Sequence, residues 1–203
     1  MFHTALFWAI LGFLLGAIPF SLLLGHLFLH ADIRRWGDGN PGGANAWRAG
    51  TWRLGVPAVL LDYLKGAVPV SLAQMEYRVS GWGLVAVALA PVLGHAFSPF
   101  LRFRGGKALA VTFGIWTGLT VWEGPTFLGL GLALMMLLQD ADAWAVILGM
   151  FCFLGYLLLR GVDRHGQAVW AGNLLILAWK HRSDLRESPR MRPFLRRLFR
   201  RHP

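Results

Sequence analysis

The chain has one cysteine, Cys152, in 203 residues, which excludes an intrachain disulfide. It has no Gly-x-Ser-x-Gly elbow and no His-x4-Asp box, so neither a hydrolase nucleophile nor the acyltransferase apparatus of that type is present. His26 and His30 have a metal-ligand spacing, but no third ligand accompanies them, so no metal site is expected. No linker or internal repeat argues for a second large domain. Met1 to Phe20 lacks a basic n-region and a small-residue cleavage site, and is better read as a membrane helix than as a cleaved signal.

What the chain has is apolar length. Hydrophobic residues make up 56% of it, with ten Trp, and mean hydropathy is +0.50. About 20 apolar residues span a bilayer core. Residues 4–29, 54–75 and 81–101 meet or approach that length, and 143–160 makes another span. Residues 108–122, 125–138 and 167–180 are shorter, with Glu123-Gly124-Pro125 dividing the first two. The fold class is therefore all-α, a polytopic membrane bundle of about seven helices, with a five-helix version as the alternative. A membrane domain over 1–187 is followed by a basic tail over 188–203.

Charge gives an orientation. The chain carries +10, and residues 180–203 hold nine Lys/Arg against Asp184 and Glu187. This block abuts an apolar segment, so attraction to anionic lipid explains it better than nucleic acid, and no nucleic-acid partner is expected. Arg190, Arg192, Arg196, Arg197, Arg200 and Arg201 anchor the end of the chain, with the segment from Ser188 lying on the membrane surface or mobile. Placing the two islands and the tail in the cytoplasm puts the N-terminus outside in both the five- and seven-helix versions, although the seven-helix version leaves Asp140 and Asp142 inside and Arg160 and Arg164 outside.

Two glycine-rich islands interrupt the apolar pattern: Gly37 to Arg48, and Gly94 to Lys107. Exposed backbone and fixed charge are costly at membrane depth unless they meet a polar cavity or the interface. Bare N–H groups beside Arg and Lys suit a phosphate. In the second island Arg104-Gly105-Gly106-Lys107 opens into the helix expected from Ala108. In the first, Asn40 before Pro41 is biased to extended backbone, and Asn45 and Arg48 share a face if a short helix begins at Ala44. Asp62 and Lys65, at i and i+3 within an apolar run, read as an ion pair supporting the site.

The order of these landmarks resembles the PlsY family, bacterial membrane glycerol-3-phosphate acyltransferases that use acyl phosphate. The resemblance rests on Gly16-Ala17-Ile18-Pro19-Phe20, Gly39-Asn40-Pro41-Gly42 with Asn45 and Arg48, and Leu61-Asp62-Tyr63-Leu64-Lys65-Gly66. Gly94-His95 through Phe103-Arg104-Gly105-Gly106-Lys107, and His181-Arg182, complete it. The resemblance implies seven helices, a cytoplasmic active face in a bacterial-type plasma membrane, and acyl transfer to the sn-1 hydroxyl of glycerol 3-phosphate, giving lysophosphatidate. It implies no metal or organic cofactor, and no obligate protein partner is evident. By position, Arg48 and His181 act at the reaction, with Asp38 as a candidate base. Asn40, Asn45, Arg104, Gly105, Gly106 and Lys107 form the phosphate site. Asp62, Lys65, His95 and Asp184 support it.

The chain departs from the family pattern where carboxylates enter. Asp38 stands at a serine position, Asp184 at an asparagine position and Glu187 at an arginine position, while Lys107 is followed by Ala108 in place of glycine. One added like charge at about 4 Å and an effective dielectric of about 20 opposes a phosphate by roughly 4 kcal/mol. Three readings follow: the family reaction, transfer to a less anionic acceptor, or a non-catalytic lipid-binding relative.

Overall fold

The computed structural model describes residues 2–195. Arg196, Arg197, Arg200 and Arg201, expected to anchor the chain, lie outside the described residues. Among the described residues, eight named α-helices follow one another: α1 (Phe2–Ala17), α2 (Phe20–Leu29), α3 (Gly43–Ser71), α4 (Gly81–Ala96), α5 (Leu109–Thr120), α6 (Glu123–Leu138), α7 (Asp142–Leu159) and α8 (Arg164–Lys180). Four helical stretches are long and apolar enough to cross a membrane: Phe2–Leu29, Gly43–Glu76, Gly81–Leu101 and Asp142–Leu159. Leu109–Thr120 and Glu123–Leu138 are shorter apolar helices.

Two helix breaks fall elsewhere than the sequence suggests. The apolar run over 4–29 is two helices, broken at Ile18 and Pro19, because a proline offers no N–H to the preceding turn. The freed carbonyls are used: Ser98 Oγ donates to Ala17 O at 2.6 Å, and Lys65 Nζ to Ile18 O at 3.1 Å. Glu123-Gly124-Pro125 is not the divider between α5 and α6 but the first turn of α6, where proline's missing N–H costs nothing. The break falls at Val121, whose φ is +58°.

Small residues let the helices approach closely, as membrane helices require in the absence of a water-driven hydrophobic effect. α1 packs on α4 and α3 on α5. A Cβ at Gly94 would strike the Phe13 carbonyl, and one at Gly114 the Tyr63 carbonyl. The core at the α5–α7 contact is Trp116 edge-on to Phe153, with ring centroids 4.7 Å apart. Nearby, Asn173 of α8 is fully buried, donating to Thr112 Oγ1 at 2.9 Å and accepting from Trp116 Nε1 at 3.3 Å.

The chain beyond α8 does not simply trail along the surface. Asp140 N donates to Arg190 O at 2.8 Å and Arg192 N to Leu138 O at 3.0 Å, pairing the segment with the α6–α7 loop. Trp144 Nε1 donates to Glu187 O at 2.7 Å, and Arg190 N to Gln139 Oε1 at 2.5 Å.

Candidate active site

The first island turns sharply before α3. Gly37 and Gly39 have φ of +58° and +73°, a region that favours glycine. A Cβ at Gly37 would also fall on Asn45 Oδ1 and the Arg48 guanidinium. α3 begins at Gly43, one residue before the sequence expectation, and kinks at Gly50 and Thr51. The short helix before the kink presents Asn45 and Arg48 on one face, as their spacing predicts. Arg48 donates to Asn45 Oδ1 at 2.8 Å, and Asn45 Nδ2 donates to Asp38 Oδ1 and to Asn40 O, both at 2.9 Å. The Asp38 Oδ1 also accepts from Asn40 N at 3.2 Å.

The second island is a loop folded onto His95. Gly106 N donates to His95 O at 3.0 Å, so that N–H is committed to the loop and not free for a phosphate. A Cβ at Gly105 would strike the His95 carbonyl, and one at Gly106 the His95 ring. Close packing is therefore the first demand on both glycines. α5 starts at Leu109 and not at Ala108, which caps it in the left-handed region at φ 64°, ψ 11°.

Lys107 joins the islands. Its Nζ lies 2.8 Å from Asp38 Oδ2 and 2.7 Å from Asp184 Oδ2, the latter in the turn after α8. Partial burial works to lower the Lys107 ammonium, but Asp184 and Asp38 outweigh it and raise it above its ordinary value. Burial pushes the Asp38 carboxyl up, while Lys107, the Asn40 N–H and Asn45 bring it below the usual carboxylate range. The Lys107 ammonium lowers Asp184 as well, against a smaller effect of burial. Both carboxylates are ionised at neutral pH.

Around Lys107 is a polar cavity of about 300 Å³ lined by Asp38, Asn40, Arg104, Gly105, Lys107 and Asp184, with Lys180, Arg182 and the Phe97 and Phe103 rings completing the wall. Six of the sequence-predicted residues thus meet at one place. Asn45 and Arg48 stand behind Asp38 and do not line the cavity, and neither do Gly106 and His181.

His181 caps α8 and is 5% exposed. Its Nδ1 faces Leu177 O at 2.9 Å. A carbonyl only accepts, so Nδ1 holds the proton and Nε2 keeps a free lone pair. Burial lowers its pKa below the ordinary 6.5, so the ring is neutral at pH 7.

Asp62, Lys65 and His95 form a separate cluster beneath the loop. Lys65 Nζ lies 2.7 Å from Asp62 Oδ1, Ser21 Oγ donates to Asp62 Oδ2 at 3.0 Å, and His95 Nδ1 is 3.7 Å from Asp62 Oδ1. Through His95, on which Gly105 and Gly106 sit, this cluster supports the second island.

Sequence reasoning misses Lys180, which it counts with the basic tail. Its Nζ donates to Ala96 O at 3.0 Å and to Gly105 O at 2.8 Å. Its position directly before His181 is the only available signal. Ser98 is missed too, because a helix-end carbonyl that needs a donor is invisible in a sequence, and Ser21 because its acceptor, the Asp62 carboxylate, lies far along the chain.

A second, apolar groove of about 600 Å³ runs between α3, α5 and α6, bordered by Trp47, Val59, Tyr63, Phe113, Thr117 and Trp122. Trp47 belongs to the same short helix as Asn45 and Arg48, so the groove starts beside the polar site. A cavity lined by charges of both signs and a separate apolar groove, on a helical scaffold with apolar spans, define a membrane protein with room for a charged solute and for an apolar chain. The chain belongs to the glycerol-3-phosphate acyltransferase family, whose profile matches residues 6–189. It is 38% identical over 188 residues to glycerol-3-phosphate acyltransferase 1 of Thermotoga maritima, covering 86% of this chain and 92% of that one. It is 35% identical to a glycerol-3-phosphate acyltransferase of Thermus thermophilus over 188 residues, covering 90% and 91% of the two chains. The crystal structure of PlsY (YgiH), an integral membrane glycerol 3-phosphate acyltransferase in its glycerol 3-phosphate form, superposes with a TM-score of 0.83 at 28% identity, over 96% of this chain and 98% of that one. Its lysophosphatidic acid form gives 0.81 at 26% identity over the same shares.

Proposed function

We propose that this protein transfers an acyl group from acyl phosphate to the sn-1 hydroxyl of glycerol 3-phosphate, giving lysophosphatidate and inorganic phosphate. It does so at the cytoplasmic face of a bacterial-type plasma membrane, with seven crossings and its N-terminus outside. The excess of Lys/Arg at the first two islands and the tail supports that orientation. The observation that carries the reading is Lys107, held between the first and third polar segments in a cavity of mostly polar lining.

Lys107, with Arg104 and Arg182 on the cavity wall, holds phosphate. The acyl chain lies in the groove along α3 and α5. The glycerol hydroxyl oxygen attacks the acyl carbon, the carbon–oxygen bond to phosphate breaks, and the leaving phosphate takes the electron pair onto the basic cluster. His181 Nε2 accepts a hydrogen bond from the hydroxyl and orients it. His181 Nε2 takes the hydroxyl proton as the new carbon–oxygen bond forms and hands it on to a substrate phosphate, whose second pKa is near 6. That makes it a stronger base than Asp38, which Lys107 keeps below the carboxylate range. Acyl phosphate is already activated, so orientation and charge neutralisation supply most of the rate. Arg48 acts through Asn45 on the first island, with its other guanidinium donors open to a phosphate at the rim.

The test is lysophosphatidate formation by purified protein from acyl phosphate and glycerol 3-phosphate, with Arg48→Ala and Lys107→Ala as controls. Product from wild type that is lost in both variants is the expected result. The two carboxylates on Lys107 favour one second reading, a less anionic acceptor. Acylation of glycerol but not of glycerol 3-phosphate would select it, and no product with either would leave a lipid-binding relative.

A further inference from the structure

Two lysine–aspartate systems in this chain differ in kind. Asp62 and Lys65 are enclosed, with side chains 3% and 2% exposed, out of reach of a solute. Asp38 and Asp184 hold Lys107 at the same distances, but their side chains are 42% and 43% exposed and that of Lys107 is 30%. They also stand outside the α-helices, Asp38 in the turn before α3 and Asp184 at the start of a short 3-10 turn after α8.

We propose that Asp38 and Asp184 form an anionic latch that occupies Lys107 in the empty protein and that an arriving phosphate must displace. The inference rests on the reading of this cavity as the phosphate site. An ammonium has three donors, and two of those on Lys107 are already spent on carboxylates. The cluster of one lysine and two aspartates carries a net −1, not the +1 of a free lysine. Lys180 is a poor substitute, because two of its three donors are held by the carbonyls of Ala96 and Gly105. A phosphate of charge about −1.5 to −2 therefore meets one open donor on Lys107 beside two groups of its own sign, and gains more than that one only by taking their place.

Each carboxylate has somewhere else to go. Asp38 keeps Asn45 and the Asn40 N–H through its other oxygen, and Asp184 keeps the Ser183 hydroxyl at 3.1 Å. The latch therefore opens without stranding a charge. It closes again when the ligand leaves, and this has a use: a transfer that releases inorganic phosphate needs that phosphate off the lysine before the next cycle. Asp38 and Asp184 set phosphate affinity and release; neither needs to touch the reacting carbon.

The test is equilibrium binding of inorganic phosphate and of glycerol 3-phosphate to the full-length protein in detergent micelles. Asp184→Asn and Asp38→Asn are each expected to bind inorganic phosphate about tenfold tighter than wild type, and Asp184→Glu to stay within about threefold of it. Unchanged or weaker binding in both asparagine variants, with melting temperatures near wild type, overturns the latch and makes the carboxylates mere positioners of Lys107. Should one variant fail to fold, the other decides alone. In a Lys107→Met background the gain from Asp184→Asn should vanish; a gain of the same size there means plain repulsion and also overturns the latch. Absence of lysophosphatidate from wild type would count against the proposed reaction, while the phosphate affinities would still decide the latch.

Discussion

Lys180 Nζ donates to the Gly105 carbonyl at 2.8 Å, so the residue before His181 holds the loop that carries Lys107. The same ammonium reaches Ala96 O at 3.0 Å, at the last turn of α4. One side chain thus fastens α8, α4 and the second island together. Lys180→Met keeps the aliphatic stem and removes both bonds to carbonyls, each worth about 1.5–3 kcal/mol when the donor is charged. Loss of at least about tenfold in kcat/KM is expected, because small displacements of positioned groups are expensive. Partial recovery in Lys180→Arg would separate this role from simple packing, and an unimpaired Lys180→Met enzyme would refute it.

The Asp62–Lys65 pair should respond asymmetrically to substitution. Lys65→Met alone leaves a buried carboxylate without its partner, and breaking a buried pair this way costs about 3–5 kcal/mol. Asp62→Asn combined with Lys65→Met removes both charges, and the double variant should recover much of the loss. Thermal melting in detergent measures both. Equal damage in the single and double variants would mean that the charges themselves, and not their mutual compensation, are required.

Ala108 sits where glycine is favoured, at φ 64° in the left-handed region. Relief of about 1–2 kcal/mol on replacement by glycine is offset by glycine's freedom in the unfolded chain, about 0.5–1 kcal/mol, and by loss of a buried methyl, about 0.8 kcal/mol. Ala108→Gly should therefore be nearly neutral in stability. Ala108→Val should be harmful by about 1–3 kcal/mol, since a β-branched residue is strained there. A melting series over the three side chains tests this directly.

His181 gives the site a pH signature. Its folded pKa is lowered from 6.5 by burial, so its contribution to stability is fully present above pH 6.5 and is lost as pH falls through the folded value. Turnover should fall over the same acid range, as protonation of Nε2 removes the hydrogen-bond acceptor. His181→Gln should flatten the acid limb of the melting profile. Lys107 is raised from 10.5, so its contribution holds below that value and is lost as pH rises through the folded one. An acid limb unchanged by His181→Gln would move that titration to another group.

Hydropathy makes most of the scaffold legible, because apolar length, charge and glycine punctuation are direct consequences of the bilayer as a solvent. The i, i+3 relations also read correctly, for Asp62 with Lys65 and for Asn45 with Arg48. The break at Pro19 is hidden inside an apolar run, since hydropathy does not register a missing N–H. Ala108 looks like the first residue of α5 because alanine favours helix, while its left-handed φ is imposed by the loop it ends. The direction of Arg48 is not readable either: sequence spacing gives a shared face but not what the face looks at. Lys180 passes for surface charge because its acceptors are carbonyls from two distant elements.

The pairing of residues 190–192 with the α6–α7 loop reaches further than the tail itself. Asp184 lies between His181, fixed at the end of α8, and Glu187, whose carbonyl is held by Trp144. The turn is pinned at both ends, so most of its conformational entropy is already lost before any ligand arrives. Asp184 is therefore presented to Lys107 on a short leash whose far end is tied by the chain that follows it.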